Sequence, residues 1–208
     1  MSSRLIFGRP RPILTAMSDT DPTPDFRTIV PEGEDRERAV CNQCGFIAYE
    51  NPKIVAGSVV RSEGRILLCR RAINPRMGFW TIPAGYLELN ESPEEGAARE
   101  ALEEARATIR LSELLAVYTI HRLSQVQIIY RATLESGFEP GPESLEVRLF
   151  DWSEIPWDEI AFPSVVWALH HDRSVLETAA AAPFANPDGA TGDLSAFAAR
   201  HAGEDHGS

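Results

Sequence analysis

Gly85, Glu91, Arg99, Glu100, Glu103 and Glu104 fall at fixed intervals: five residues separate Gly85 from Glu91, seven separate Glu91 from Arg99, and two separate Glu100 from Glu103. On a helix, offsets of three and four return to one side, so Glu100, Glu103 and Glu104 crowd within a single turn. Like charges at that spacing repel by about 0.2–0.5 kcal/mol per pair. The helix macrodipole favours acids in the first turn, and these lie in the last. Folding alone does not favour the arrangement. A hard divalent cation does, because its ligands are carboxylate and carbonyl oxygens. A Glu-rich helix ordinarily means a solvated acidic face. Six fixed positions, each with a frequency of about 0.06, match by chance roughly once in ten million starts, which favours the chemical reading.

Other elements must hold that helix in place. Ser92 is a candidate N-cap, Pro93 occupies the first helical position, and Glu95 completes a capping box, so a helix should run from there to about Ala105. Upstream, Ile54 to Val60 is an apolar run too short for a helix, and with Arg65 to Arg71 it predicts a hairpin around Ser62-Glu63-Gly64. Residues 79–82 predict a short strand stopped by Pro83 and Gly85. Leu114 to Ile120, Val126 to Leu134 and Leu145 to Phe150 read as strands, and Pro163 opens a last helix through about Thr178. Interleaved strands and helices imply an α/β (α+β) chain with a mixed sheet. Residues 1–38 are expected to be disordered or loosely ordered, the main domain to span 53–178, and 179–208 to form a disordered tail.

The chain has 208 residues with 31 acidic against 20 basic side chains, a net charge of −11. That balance argues against a duplex nucleic-acid partner, which demands a basic face. It also means that an anionic substrate needs a cation to receive it. Lys53 is the only lysine. Three cysteines imply a reducing compartment and no disulfide framework. No apolar run approaches the roughly 18–20 residues that span a bilayer, so the expectation is a cytoplasmic protein with no membrane partner. The first 17 residues are basic and free of acids, and an extended start, with Met17 as the true one, accounts for them better than a targeting peptide.

The spacing from Gly85 to Glu104 resembles the signature of the Nudix hydrolases. The resemblance extends from about Pro52 to Pro163, through NPKIVAGSVV, ILLCRRAINPRMGFWTIPAGYLE and PGPESLEVRLFDWSEIPWDEIAF, toward a subgroup that contains FAD and ADP-ribose pyrophosphatases. It implies an α/β/α sandwich and a homodimer. It also implies Mg²⁺ (or Mn²⁺) held by Glu100, Glu103 and Glu104 with a backbone carbonyl near Ala84 or Gly85. Arg99 would orient the glutamates, and Glu91 would support the metal set from behind. A base outside the helix commonly assists in this family; Glu146 is the first candidate and Glu143 the runner-up. The family usually has glycine where this chain has Arg106, which predicts a different turn after the helix.

For the substrate, Arg70, Arg71 and Arg76 are candidates to hold phosphates, with surface solubility the plain alternative. Phe79 and Trp80 could stack on a base or flavin, although aromatics at strand spacing are more often core. Gln125 and Gln127 point the same way on a strand and could read a nucleobase. Cys41 and Cys44, over 39–52, resemble half of a zinc ribbon, but residues 1–40 contain neither Cys nor His, so one chain lacks the four ligands that zinc requires, and two chains sharing a site across a dimer is the alternative. The resemblance thus implies cleavage of a nucleoside diphosphate linked to another group (ADP-ribose, FAD or a nicotinamide dinucleotide) into two monophosphates. Two alternatives stay open: a sensor that binds such a metabolite without cleaving it, and an isoprenoid-diphosphate isomerase, for which only Cys69 is an eligible thiol.

Overall fold

A computed structural model describes residues 25–178 and 182–194, in two compact units that meet between Glu50 and Asn51. The smaller unit is an antiparallel three-stranded sheet: β1 (Phe26–Ile29), β2 (Arg38–Cys41) and β3 (Ile47–Ala48) in that spatial order. Glu34 ties it together, accepting hydrogen bonds from Arg38 (2.9 Å) and from the Tyr49 hydroxyl (2.5 Å). The expected loose segment over 1–38 therefore does not hold for 25–38, where backbone pairing with β2 supplies the order. Residues 1–24 lie outside the described residues.

The larger unit is built on seven strands: β4 (Lys53–Ser62), β5 (Arg65–Arg71), β6 (Trp80–Thr81), β7 (Ala84–Tyr86), β8 (Ile109–Ile120), β9 (Gln125–Leu134) and β10 (Ser144–Phe150). The order is β10-β5-β4-β9-β8, with β6 on β5 and β7 on β4. β4 and β9 run parallel while the other pairs are antiparallel, so the sheet is mixed. Helix α1 (Pro93–Ala105) begins at the predicted capping box, and α2 (Pro163–Thr178) ends the fold.

Each helix covers its own set of strand residues, and this explains the continuous apolar runs. Val59, Ile66, Leu68, Ile129 and Phe150 form a core with Val165, Ala168 and Leu169 of α2. Their neighbours Val60, Leu67, Cys69, Ala132 and Val147 pack with Ala105 of α1. Alternate side chains point to opposite faces of a strand, so a strand covered on both sides has no polar positions to spare. The result is the expected α/β/α layering. Asp172 of α2 is fully buried and accepts hydrogen bonds from Arg61 of β4 and Arg131 of β9, which fastens the helix to two central strands. Among the described residues no helix is long and apolar enough to cross a membrane.

A tail without structure from 179 was expected, but 182–194 follows a defined course along β8. Phe184 exchanges backbone hydrogen bonds with Leu115 (2.8 Å) and Val117 (2.9 Å). Its ring stacks on His171 with centroids 4.3 Å apart. Residues 179–181 and 195–208 lie outside the described residues.

Candidate active site

Helix α1 buries the wrong residues for a purely structural helix. Its inward face carries Ala97, Glu100, Ala101, Glu104 and Ala105, whereas Leu102 is exposed. Small alanines let the helix lie close to the sheet, and two carboxylates go in with them. Glu100 is 8% and Glu104 6% exposed. Burial pushes the carboxyl of Glu104 up to about 8, against the hydrogen bond it accepts from the Ala84 N–H at 3.1 Å. Burial also raises that of Glu100, with Arg99 opposing. A buried carboxylate is costly without a positive partner, and the site holds two.

The strand in front of them is shaped to admit oxygen ligands. β7 pairs with β4 through Val55–Tyr86, Ala56–Gly85 and Gly57–Ala84. Ser58 N–H donates to Pro83 O, and Leu87 N–H to Ile54 O. Antiparallel alternation then turns both backbone groups of Ala84 away from β4, and its N–H indeed goes to Glu104. The carbonyl of Ala84 lies on that same side. At Gly85 a β-carbon would fall 2.3 Å from Oε1 of Glu100, so only glycine leaves room for that carboxylate.

Arg99 organises the outer part of the site. It donates to both oxygens of Glu91 (3.1 and 2.8 Å), to Glu100 (2.7 Å), to Glu103 (2.9 Å) and to the Tyr86 carbonyl (2.9 Å). Bonds from Arg99 and from the Glu88 N–H hold Glu91 down at about 2. Glu91 thus faces the guanidinium, and its part is to hold Arg99. Among the described residues no three acids, histidines or cysteines already converge on one point. Arg99 draws Glu100 and Glu103 to itself. The donor set of Glu100, Glu103, Glu104 and the Ala84 carbonyl is all oxygen and suits Mg²⁺ or Mn²⁺.

A cleft of about 970 Å³ opens over these groups, at the upper end of the ~300–1,000 Å³ usual for ligand sites. Its lining includes Glu100, Glu103 and Glu104 at one side and Gln125 and Gln127 of β9 at another. Carboxylates outnumber guanidiniums along it, so an anionic diphosphate needs a cation to enter. Gln127 donates its amide to Gln125 at 2.9 Å. Of the three arginines expected at the phosphates, Arg71 lines the cleft, bonded to Pro75 O. Arg70 does not: it donates to Gly78 O and faces Glu146. Arg76 lies over the Phe79 ring at 3.7 Å, also outside the lining. Trp80 is a core residue, 5% exposed and set edge-on to Phe150 at 4.9 Å. Neither Phe79 nor Trp80 reaches the cleft, because the pairing of β6 with β5 fixes Trp80 opposite Arg70, with Phe79 beside it.

Of the two acids expected as the base, the runner-up Glu143 lines the cleft and Glu146 does not. Glu146 pairs in register with Arg70, their side chains 3.9 Å apart, and it is absent from the cleft wall. Glu143 is on the wall. Its position comes from the end of α1. The Glu139 N–H caps Ala105 O and the Gly141 N–H caps Glu104 O, each at 3.0 Å. A β-carbon on Gly141 would sit 1.7 Å from the Glu103 carbonyl oxygen, so the loop lies directly on the helix end. The carbonyl of Glu143 is held by the Ala72 N–H at 2.8 Å.

The turn after α1 does not differ as Arg106 suggested. Arg106 adopts the left-handed cap itself, with φ 50° and ψ 24°, and its N–H meets the Ala101 and Leu102 carbonyls. An L side chain is strained there, so Arg106→Gly should stabilise the protein by about 1 kcal/mol, read as a higher denaturant midpoint at unchanged slope.

With this geometry in view, likeness to other proteins decides the family. A NUDIX domain model matches residues 51–168, and the model of the Nudix N-terminal zinc ribbon matches 25–50. The chain belongs to the Nudix family. This Nudix chain is 43% identical to a NUDIX hydrolase from Nitrosomonas europaea, over 78% of its own length and 93% of that chain, with a TM-score of 0.72. It is 44% identical to a MutT-like protein of Streptomyces ambofaciens across 41% of its length, and spans 53% of that relative. It is 27% identical to an ADP-ribose pyrophosphatase of Methanocaldococcus jannaschii, covering 52% of this chain and 67% of that one.

The ribbon of this Nudix protein does not fit a zinc ion. Cys41 closes β2, and the N–H groups of Cys44 and Gln43 hold its thiol below the usual range. That is half a site. Among the described residues no further Cys or His joins the pair.

Proposed function

We propose that this Nudix protein hydrolyses a nucleoside diphosphate linked to a second group, such as ADP-ribose, FAD or a nicotinamide dinucleotide, to two monophosphates. One observation carries the reading: two glutamates buried on the inward face of α1, beside the Ala84 backbone, at the wall of a cleft large enough for a two-headed substrate. Glu100, Glu103, Glu104 and the Ala84 carbonyl would hold Mg²⁺ or Mn²⁺. Bound there, the cation supplies positive charge for the diphosphate oxygens and activates the attacking water.

The chain's own groups do the rest. Arg99 keeps Glu100 and Glu103 in place through its fork of hydrogen bonds, and Glu91 holds Arg99. Glu143 accepts the proton of the attacking water as its oxygen bonds to phosphorus and the bridging P–O bond breaks. Arg71 and Arg106 lie on the wall as partners for phosphate oxygens. A homodimer in the cytoplasm completes the reading.

Purified protein with Mg²⁺ or Mn²⁺ should release two monophosphates from at least one of ADP-ribose, FAD and NADH, separated by ion-exchange chromatography. Cleavage of none of them overturns the proposal, and tight binding without product would favour a sensor. An isomerase is disfavoured, because Cys69 is 1% exposed in the core beneath α1 and burial pushes its thiol up.

A further inference from the structure

The segment 182–194 lies beyond the family match, which ends at residue 168, yet it builds part of the cleft. Asn186 pins it to β8: its Oδ1 accepts from Thr119 N–H (2.9 Å), and its Nδ2 donates to Thr119 O (2.8 Å) and Ala190 O (3.0 Å). The side-chain amide thereby imitates a strand partner. A β-carbon on Gly192 would fall 2.5 Å from Cδ1 of Ile120, so the segment presses closely on the end of β8. Asp193 and Leu194 then reach the cleft wall.

What they do there follows from charge. β7 and β9 flank β4 on opposite sides, so the β9 side of the cleft lies across β4 from Ala84 and Gly85. That side offers the amides of Gln125 and Gln127, the apolar side chains of Ile120, Leu123 and Leu194, and the guanidinium of Arg122. Asp193 takes up Arg122: Oδ1 stands 3.5 Å from its Nη1, while Oδ2 accepts from the Thr191 hydroxyl at 3.2 Å. The end is left neutral, with amides to read hydroxyls or ring nitrogens and apolar surface for a flat face. A phosphate arriving there meets a carboxylate and finds the arginine engaged.

We propose that the C-terminal segment is a specificity wall, whose Asp193 masks Arg122 so that this end of the cleft takes a nucleoside carrying no extra phosphate. The inference rests on the cleft being the substrate site of the proposed hydrolase, and it narrows the substrate to a diphosphate flanked by uncharged heads.

Two ligand pairs that differ by one ribose phosphate test it. Hydrolysis of NADH and NADPH is compared through kcat/KM, and binding of AMP and adenosine 2′,5′-bisphosphate through calorimetric Kd, which needs no turnover. The wild type should prefer the member without the extra phosphate in each pair. Asp193→Asn should narrow both ratios by roughly fivefold, mainly by improving the phosphorylated member, as expected when one exposed ion pair is released. Asn186→Ala, which unpins the segment at a residue off the cleft wall, should shift them in the same direction. Ratios unchanged in both variants, or no binding of either mononucleotide, overturn the proposal. Shifted binding ratios in a protein that cleaves none of ADP-ribose, FAD and NADH would leave the wall in place and remove the hydrolase reading.

Discussion

Glu104→Gln should lower kcat by about a thousandfold while making the metal-free protein more stable. The loss follows from removing an anionic oxygen ligand from the proposed metal site, whose cation would stabilise developing charge by several kcal/mol, at about 1.4 kcal/mol per factor of ten. The gain follows from burial. Burial pushes the folded carboxyl up to about 8 from the ordinary 4.5, so the folded state binds that proton more tightly than the unfolded one. Such a group has no effect on stability below about pH 4, lowers it progressively from there to about pH 8, and lowers it no further above. In chelator at pH 8 the neutral glutamine should therefore be more stable by about 2 kcal/mol, a figure discounted for relaxation around the charge. Mg²⁺ should raise the Tm of the wild type more at pH 8 than at pH 6, and that increment should shrink in Glu104→Gln. Wild-type turnover by this variant would remove the metal site from the mechanism.

Glu143→Gln is the second large effect, a fall in kcat of about 10²–10⁴-fold with KM little changed, the range for loss of a positioned general base. Glu146→Gln is its control and should stay within about twofold of wild type, since Glu146 faces Arg70 away from the cleft. Equal losses in the two variants, or a loss only in Glu146→Gln, would reverse the assignment. Loop damage is separated from loss of the base by Glu143→Asp, which keeps the carboxylate and should recover part of the rate.

These two residues mark where reading by sequence reaches its limit. Glu143 and Glu146 are three apart and chemically identical. Which one enters the cleft depends on the docking of Gly141 against the end of α1 and on the register shift in β10 between Ser144 and Glu146. Both are contacts between segments distant in the chain. The same holds for Phe79 and Trp80: alternation along a strand places them on opposite faces, but only the neighbouring strands and α2 decide that Trp80 is core. Asp193 gave no signal, although Asn186, Pro187, Asp188 and Gly189 are turn formers that could have flagged an ordered bend.

What the chain determines by itself is local and periodic. The capping box at Ser92 starts α1 where expected, and helical repetition puts Glu100 and Glu104 on one face whatever surrounds them. The tertiary structure decided that this face turns inward, that Gly85 leaves room for Glu100, and that a segment far down the chain closes the cleft. The physical reason is range. Hydrogen bonding within a helix fixes neighbours three and four residues apart, while burial and the shift it imposes on a carboxyl arise only when remote strands exclude water from it.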